Sequence, residues 1–209
     1  MSNVTIFGFP QSSYVRTVRM VCEEKGVSYE LSLIKPGSAV SAEVHPFGRV
    51  PGFQHGDVRL YESSAISRYI DEVFPGPALV PVTPLERATM EQWISAINSY
   101  VYDDLIRKYA FAYIFPSGAE GKPDRAVVEA AVPNLKRDLR LIDKALEGKE
   151  WLAGETLSLA DLFVAPILGY VSMFPEGQAT LAECPNMRRV GAAMTARPSY
   201  VKTAPQRPE

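Results

Sequence analysis

Serine recurs in this sequence where a hydroxyl and free backbone N–H groups would meet. The first such segment is Gly8-Phe9-Pro10-Gln11-Ser12-Ser13, which follows a strand-like run and opens a helical one. A helix N-terminus offers unpaired N–H groups and partial positive charge, so an anion near Ser12 or Ser13 would be stabilised. The plain alternative is a serine that only caps the helix. A second segment, Glu62-Ser63-Ser64, opens another helical run. Its serines suit a carboxylate and its glutamate suits an amino group, or both simply cap the helix and serve its dipole. Between the two stands Val50-Pro51. A proline opening a strand beside a βα crevice is a candidate cis-proline, which would turn the Val50 N–H and C=O outward toward an extended, peptide-like ligand. The alternative is an ordinary edge-strand proline. A fourth segment, Ser158-Leu159-Ala160-Asp161, reads as a capping box and is assigned to folding, not catalysis.

The elements that must hold these residues are readable from periodicity. Val4-Thr5-Ile6-Phe7 is a short strand that stops at Gly8 and Pro10. From Ser12 to Lys25 the apolar residues Val15, Val18, Val21 and Cys22 recur at helical spacing, and Gly26 stands at the C-cap. Val27, Tyr29, Leu31 and Leu33 alternate with polar residues as a second strand. Strand, helix, strand predicts a βαβ unit with a parallel pair. Lys35 to Pro46 is predicted as a loop. The runs on either side of His55-Gly56-Asp57 predict a β-hairpin, with Pro51 at the start of its first strand. Ser63 to Val73 predicts a second helix, with Ile66, Tyr69, Ile70 and Val73 on one face.

A proline-rich linker covers 76–83, and beyond it the strand signal disappears. Thr83-Pro84-Leu85-Glu86 opens a long helix to about Phe111 with a capping box and an N1 proline. A helix from about Asp124 to Leu146 must be kinked or split by Pro133. An apolar helix follows Ser158, a last helix spans roughly Asn186 to Ala196, and the tail from Arg197 reads as extended. The architecture is therefore an α/β domain over 1–75, a linker over 76–83 and an all-helical domain over 84–209. An α/β unit that small is marginal alone and is expected to lean on the helical part.

Composition excludes several classes. The chain has 209 residues, 46% hydrophobic and 22% charged, which is globular and neither disordered nor collagen-like. No apolar run reaches the roughly 18–20 residues of a membrane span, and the Met1-Ser2-Asn3 start shows no secretory signal. Net charge is −2 and neither half is basic, so nucleic acid is a poor partner. Two cysteines, Cys22 and Cys184, make neither a disulfide scaffold nor a thiolate metal site, and fit a reducing compartment. With only two histidines, no metal is expected.

The segments taken together resemble one family. Gly8-x-Pro10-x-Ser12 followed by Arg16, then Pro46-Phe47-Gly48-Arg49-Val50-Pro51, Glu62-Ser63-x-Ala65-Ile66 and Ser158-Leu159-Ala160-Asp161 are each common alone. In this order and spacing they resemble the cytosolic glutathione transferases over nearly the full length, most of all the serine-type, phi-like branch. The first part then resembles a thioredoxin-like domain in βαβ–ββα order, followed by the all-helical domain. Dinucleotide folds are disfavoured because no Gly-x-Gly-x-x-Gly occurs, and a redox thioredoxin because Cys-x-x-Cys is absent.

The resemblance implies roles residue by residue. Ser12 would hydrogen-bond the glutathione sulfur and favour its thiolate, with Ser13 and then Tyr14 as rivals. Val50, set by Pro51, would pair with the cysteinyl backbone of glutathione. Glu62 and Ser63 would hold the γ-glutamyl amino and carboxylate groups. Lys35 is the candidate for the glycine carboxylate; the His-Lys pair of the phi-like pattern is missing, and Arg49 is a weaker substitute. Phe9, Tyr100, Tyr109 and Tyr113, with Phe111 and Phe115, are candidates for a second-substrate pocket, their alternative being core packing. Phe47 resembles an aromatic key inserted into a partner subunit, its alternative being burial in its own chain. The implied activity is conjugation of glutathione, as co-substrate, to small hydrophobic electrophiles in a cytoplasmic, homodimeric detoxification enzyme without metal, nucleic acid or membrane partners. The other readings are a glutathione-dependent peroxidase, dehalogenase or isomerase, or a non-catalytic glutathione-binding module.

Overall fold

The computed structural model describes residues 4–205, so the start of the chain read for a signal lies outside the described residues. Two compact units result: one runs up to Val80 and takes in the chain from Thr195 onward, the other is Pro81–Met194.

In the first unit β1 (Val4–Gly8), α1 (Ser13–Lys25) and β2 (Tyr29–Leu33) make the βαβ unit, with β1 and β2 parallel. Helix α2 (Ala39–Val44) leads to the hairpin β3 (Gly52–His55) and β4 (Val58–Tyr61), and α3 (Ser63–Val73) follows. The sheet order is β2-β1-β3-β4, with β3 antiparallel to both neighbours. Val4 and Ile6 of β1, Phe53 of β3, Val15, Val18, Val21 and Cys22 of α1, and Ile66 and Ile70 of α3 form the core. Each large apolar side chain so buried stabilises by about 1.5–3 kcal/mol. Gly26 takes the left-handed conformation (φ 67°) and its N–H closes α1 on Cys22 O and Glu23 O, as the C-cap position requires. Gly8 is required by space: a Cβ there would lie 2.4 Å from Val15 Cγ2, so only glycine lets α1 start this close to the end of β1.

Two local expectations are corrected. The segment read as a loop from Lys35 to Pro46 contains α2, capped by Ser38, whose hydroxyl accepts the Ser41 N–H at 3.1 Å. Six residues are too few to show a helical period, and Pro36-Gly37 masks the cap. The tail is helical rather than extended: α10 (Pro198–Lys202) begins with Pro198 at its first position, where proline starts a helix. It is held on α1 by Arg16, which donates to Tyr200 O at 3.0 Å and stacks over the Tyr200 ring at 4.0 Å, and by Glu24, which accepts two bonds from Arg197 at 2.7 and 2.6 Å. Of the two outcomes expected at Pro133, a split does not occur: α6 (Arg125–Ala145) carries the proline inside one helix.

The proline-rich stretch up to Val80 is tied to the first unit. Lys25 and Asp71 form a buried ion pair at 3.0 Å; the lysine also donates to Pro77 O, and the carboxylate accepts the Leu79 and Val80 N–H groups.

The second unit is all helical. Helix α4 (Pro84–Ala96) runs on through two π-helical stretches, Ile97–Val101 and Asp103–Ala110, into α5 (Phe111–Ile114), matching the long helix expected. Helices α6, α7 (Leu159–Val171), α8 (Pro175–Ala182) and α9 (Pro185–Thr195) complete it. Helix α7 is buried nearly throughout, as its uniformly apolar sequence demands. Its start is the capping box: Asp161 accepts the Ser158 N–H and hydroxyl at 2.9 and 2.8 Å and the Leu152 N–H at 2.8 Å.

Candidate functional site

The sheet register assembles the candidate residues. Phe7 of β1 pairs with Gly52 of β3, and Gly52 pairs on its other side with Tyr61 of β4. Gly8 pairs with Leu33 of β2, and Ile34 N–H donates to Gly8 O at 3.1 Å. The segments leading to Ser12, to Lys35, to Glu62-Ser63 and back to Val50-Pro51 therefore all leave the sheet at the same end of its strands. This is the carboxyl end of β1 and β2, where α/β sheets bind ligands.

Ser12 is the N-cap of α1, in extended backbone conformation (φ −71°, ψ 123°). Its hydroxyl oxygen accepts the Val15 N–H at 3.4 Å, which leaves the O–H free to donate. Ser12 is half-buried, whereas Ser13 is buried at 5% exposure inside the first turn. Of the two serines, Ser12 is the one a ligand can reach. Tyr14 is half-buried on α1.

The Val50–Pro51 peptide is cis. Among the described residues the Val50 N–H and C=O take no hydrogen bond, so both keep their hydrogen-bonding capacity. A Cβ on Gly52 would lie 2.9 Å from Val44, so glycine is needed where the strand passes under α2.

Glu62 is one of two non-glycine residues in the left-handed region among those described, at φ 68°. Such a conformation is uncommon for a residue with a side chain and clusters at ligand-binding sites. It turns the chain so that Ser63, buried at 6% exposure, starts α3 directly, with first-turn N–H groups that have no intrahelical acceptor. The Glu62 side chain is exposed and caps nothing. Lys35 and Arg49 are exposed.

Sequence reasoning missed His45. Its imidazole is buried, Nδ1 accepts the Phe47 N–H at 3.3 Å, and Nε2 lies 3.8 Å from Glu62 Oε1. Burial pulls its pKa below the ordinary histidine value; Glu62 pushes back less strongly, and Arg49 adds to the lowering. The imidazole is therefore neutral at pH 7, with the proton on Nε2. The one available signal is position, directly before Pro46-Phe47-Gly48.

The aromatic candidates separate. Phe9 is half-buried and its carbonyl accepts the Ser12 N–H at 3.1 Å. In the helical unit Tyr100 and Phe115 are exposed, and Tyr113 and Phe111 are half-buried. Tyr109 is fully buried, its hydroxyl accepting the Gly177 N–H at 2.8 Å and donating to Glu176 at 3.2 Å. Tyr109 thus belongs to the packing of its unit, not to an open surface. Tyr113 donates to the same Glu176 at 2.5 Å.

Neither cysteine is a reactive thiol. Both are free and buried, and burial pushes the Cys22 thiol up to about 12. Among the described residues no group of three or more His, Cys, Asp or Glu is placed to hold a metal ion, and no helix is long and apolar enough to cross a membrane.

This geometry has relatives. Residues 6–78 match the model of the glutathione S-transferase N-terminal domain and residues 102–198 that of the C-terminal domain. A probable glutathione S-transferase of Oryza sativa subsp. japonica is 30% identical over 98% of this chain and 96% of its own. The chain belongs to the glutathione S-transferase family. Among solved structures, glutathione S-transferase III in apo form superposes with TM-score 0.86 at 29% identity over 99% of both chains. A glutathione S-transferase of Methylobacillus flagellatus with glutathione bound superposes with TM-score 0.81 at 29% identity over 98% of this chain and 100% of that one. The family's fold, a four-stranded mixed sheet with helices followed by an all-helical part, is the fold described above, and the phi-like resemblance stands.

Proposed function

We propose that this chain binds glutathione along the end of the sheet bounded by Ser12, Val50 and Glu62-Ser63, and transfers it to small hydrophobic electrophiles. The observation that carries the reading is Ser12: a half-buried hydroxyl whose lone pair is taken by a helix N–H and whose proton is free to donate. The thiol of glutathione gives its proton to solvent. The Ser12 O–H and the positive end of α1 stabilise the resulting thiolate. The thiolate attacks an electrophilic carbon and forms a C–S bond. In substitution the leaving group departs with its electron pair; in addition the acceptor's π bond breaks instead, and the atom that receives its electron pair takes up a proton. The enzyme forms no covalent bond.

Val50 supplies an N–H and a C=O to the cysteinyl unit in the manner of an added strand. Glu62 pairs with the γ-glutamyl ammonium, and the α3 N-terminus with Ser63 receives the γ-glutamyl carboxylate. Lys35 is the basic group for the glycine carboxylate. Phe9, three residues before Ser12, supports an apolar electrophile. Phe47, 72% exposed, supports a homodimer, and the buried thiols fit a cytoplasmic setting.

The deciding experiment is calorimetric titration with glutathione, paired with conjugation of chlorodinitrobenzene. Binding together with conjugation is expected. Binding without conjugation would convert the chain to a non-catalytic glutathione-binding protein, and absence of binding would end the reading.

A further inference from the structure

We infer that His45 is a positioning residue for glutathione: its imidazole links the Pro46–Pro51 loop, which carries Val50, to the Glu62 carboxylate. The inference rests on the glutathione site proposed above and deepens it.

The two nitrogens of the ring have different tasks. Nδ1 accepts the Phe47 N–H, which fixes the neutral tautomer with its proton on Nε2. That Nε2–H faces Glu62 Oε1 at 3.8 Å, an electrostatic contact too long for a direct hydrogen bond. Among the described residues it is the one side chain within ion-pair distance of Glu62. The ring itself is held: its backbone N–H donates to Ser41 O at 2.9 Å, and it packs against Tyr61 (centroids 5.1 Å) and Phe47 (6.1 Å). Tyr61 directly precedes Glu62. His45 thus touches the residue before the strained Glu62, the Glu62 carboxylate, and the loop three residues before Val50. A side chain with these contacts sets the distance between the two groups that grip the γ-glutamyl and cysteinyl units of one ligand.

The charged groups that face the ring are Glu62 from the corner before α3 and Arg49 from its own loop; Tyr61 faces it from β4. Protonation would place an Nδ1–H against the Phe47 N–H, donor against donor, and would neutralise Glu62 in place of the ligand ammonium. Acid should therefore loosen binding by two routes at once.

The test uses S-methylglutathione, whose blocked sulfur removes thiol titration, in calorimetry with the full chain from about pH 5 to 8. His45→Gln keeps an N–H donor near the Nε2 position and loses the Nδ1 acceptor. His45→Asn keeps the acceptor and cannot reach Glu62. The Asn variant, which loses the Glu62 contact, is expected to bind about tenfold more weakly at pH 7, and the Gln variant, which loses only the Phe47 bond, to fall between that and wild type. Wild-type affinity should fall toward pH 5, and that fall should be absent in both variants. In conjugation assays the loss should sit in the glutathione KM, with kcat largely retained. Equal affinities of the Asn and Gln variants, or an unaltered acid limb in the Gln variant, would overturn the inference while leaving the glutathione site intact. A wild type that binds neither glutathione nor its S-methyl form would overturn both.

Discussion

Ser12 takes the Val15 N–H on its oxygen and so keeps its own proton to give. One hydroxyl both caps α1 and keeps a proton to donate. Ser12→Ala removes the cap and the donor together. Conjugation should fall about 10²–10³-fold, the range for loss of one pre-organised donor to a developing anion. Glutathione affinity should change only a few-fold, and the ionisation of bound glutathione should move to higher pH, read from thiolate absorbance. Ser13→Ala, at a buried position, should leave the rate near wild type; the opposite pattern would transfer the role to Ser13.

Glu62 stands at φ 68°, where a side chain is costly, so binding and stability should part there. Glu62→Gly should raise thermal stability by about 1 kcal/mol while weakening glutathione binding. Glu62→Gln keeps the backbone cost and loses the charge, and should weaken binding about 10- to 100-fold, the worth of a charge-assisted bond. Chemical denaturation and calorimetry on both variants check this. A glycine variant that is both less stable and fully binding would contradict it.

Asp161 is buried at the start of α7, and burial raises its pKa to about 6 although three hydrogen bonds lower it. A raised pKa means that its favourable contribution is complete below about pH 4 and is lost as pH rises through about 6, a change of about 3 kcal/mol. Asp161→Asn, which does not titrate, should therefore cost most near pH 4 and less by pH 7. Urea midpoints at the two pH values measure the difference, and a cost that grows with pH would refute the sign.

Glu24 is the opposite case. Burial raises its pKa, but hydrogen bonds from Arg197 and Ser199 and the Arg197 charge outweigh that and hold it below the ordinary value. A lowered pKa gives stability that is present above about pH 4.3 and lost as pH falls through the folded value. The C-terminal helix α10 should loosen from α1 in acid, and at neutral pH in Glu24→Gln. Hydrogen exchange at residues 198–202 is expected to quicken in both conditions while the β1 amides stay protected. Equal protection of α10 in the variant would deny it this anchor.

The acid limb expected of His45 is separable from both effects, because it concerns ligand affinity and not unfolding.

Much of the fold is legible in the sequence because it is set within a few residues. Alternation marks β1 and β2, helical spacing marks α1 and α3, and Gly26, Thr83-Pro84 and Ser158-Asp161 mark helix ends by their own capping chemistry. The candidate segments around Ser12, Val50-Pro51 and Glu62-Ser63 stand out for the same reason. Helix α2 is hidden because six residues have no measurable period, and α10 because Pro198 reads as a breaker until its place as a first helical residue is known.

By itself, then, the sequence determined most of the elements, their order, the family and the serine at the head of α1, all consequences of local backbone preference and side-chain period. Tertiary structure alone decided the rest. The register Phe7–Gly52–Tyr61 brings the segments of the site to one end of the sheet, burial separates Ser12 from Ser13 and removes Tyr109 to the core, and the β3–β4 hairpin folds Glu62 back to His45. Each of these depends on contacts between residues far apart in the chain, and no local pattern encodes such a distance.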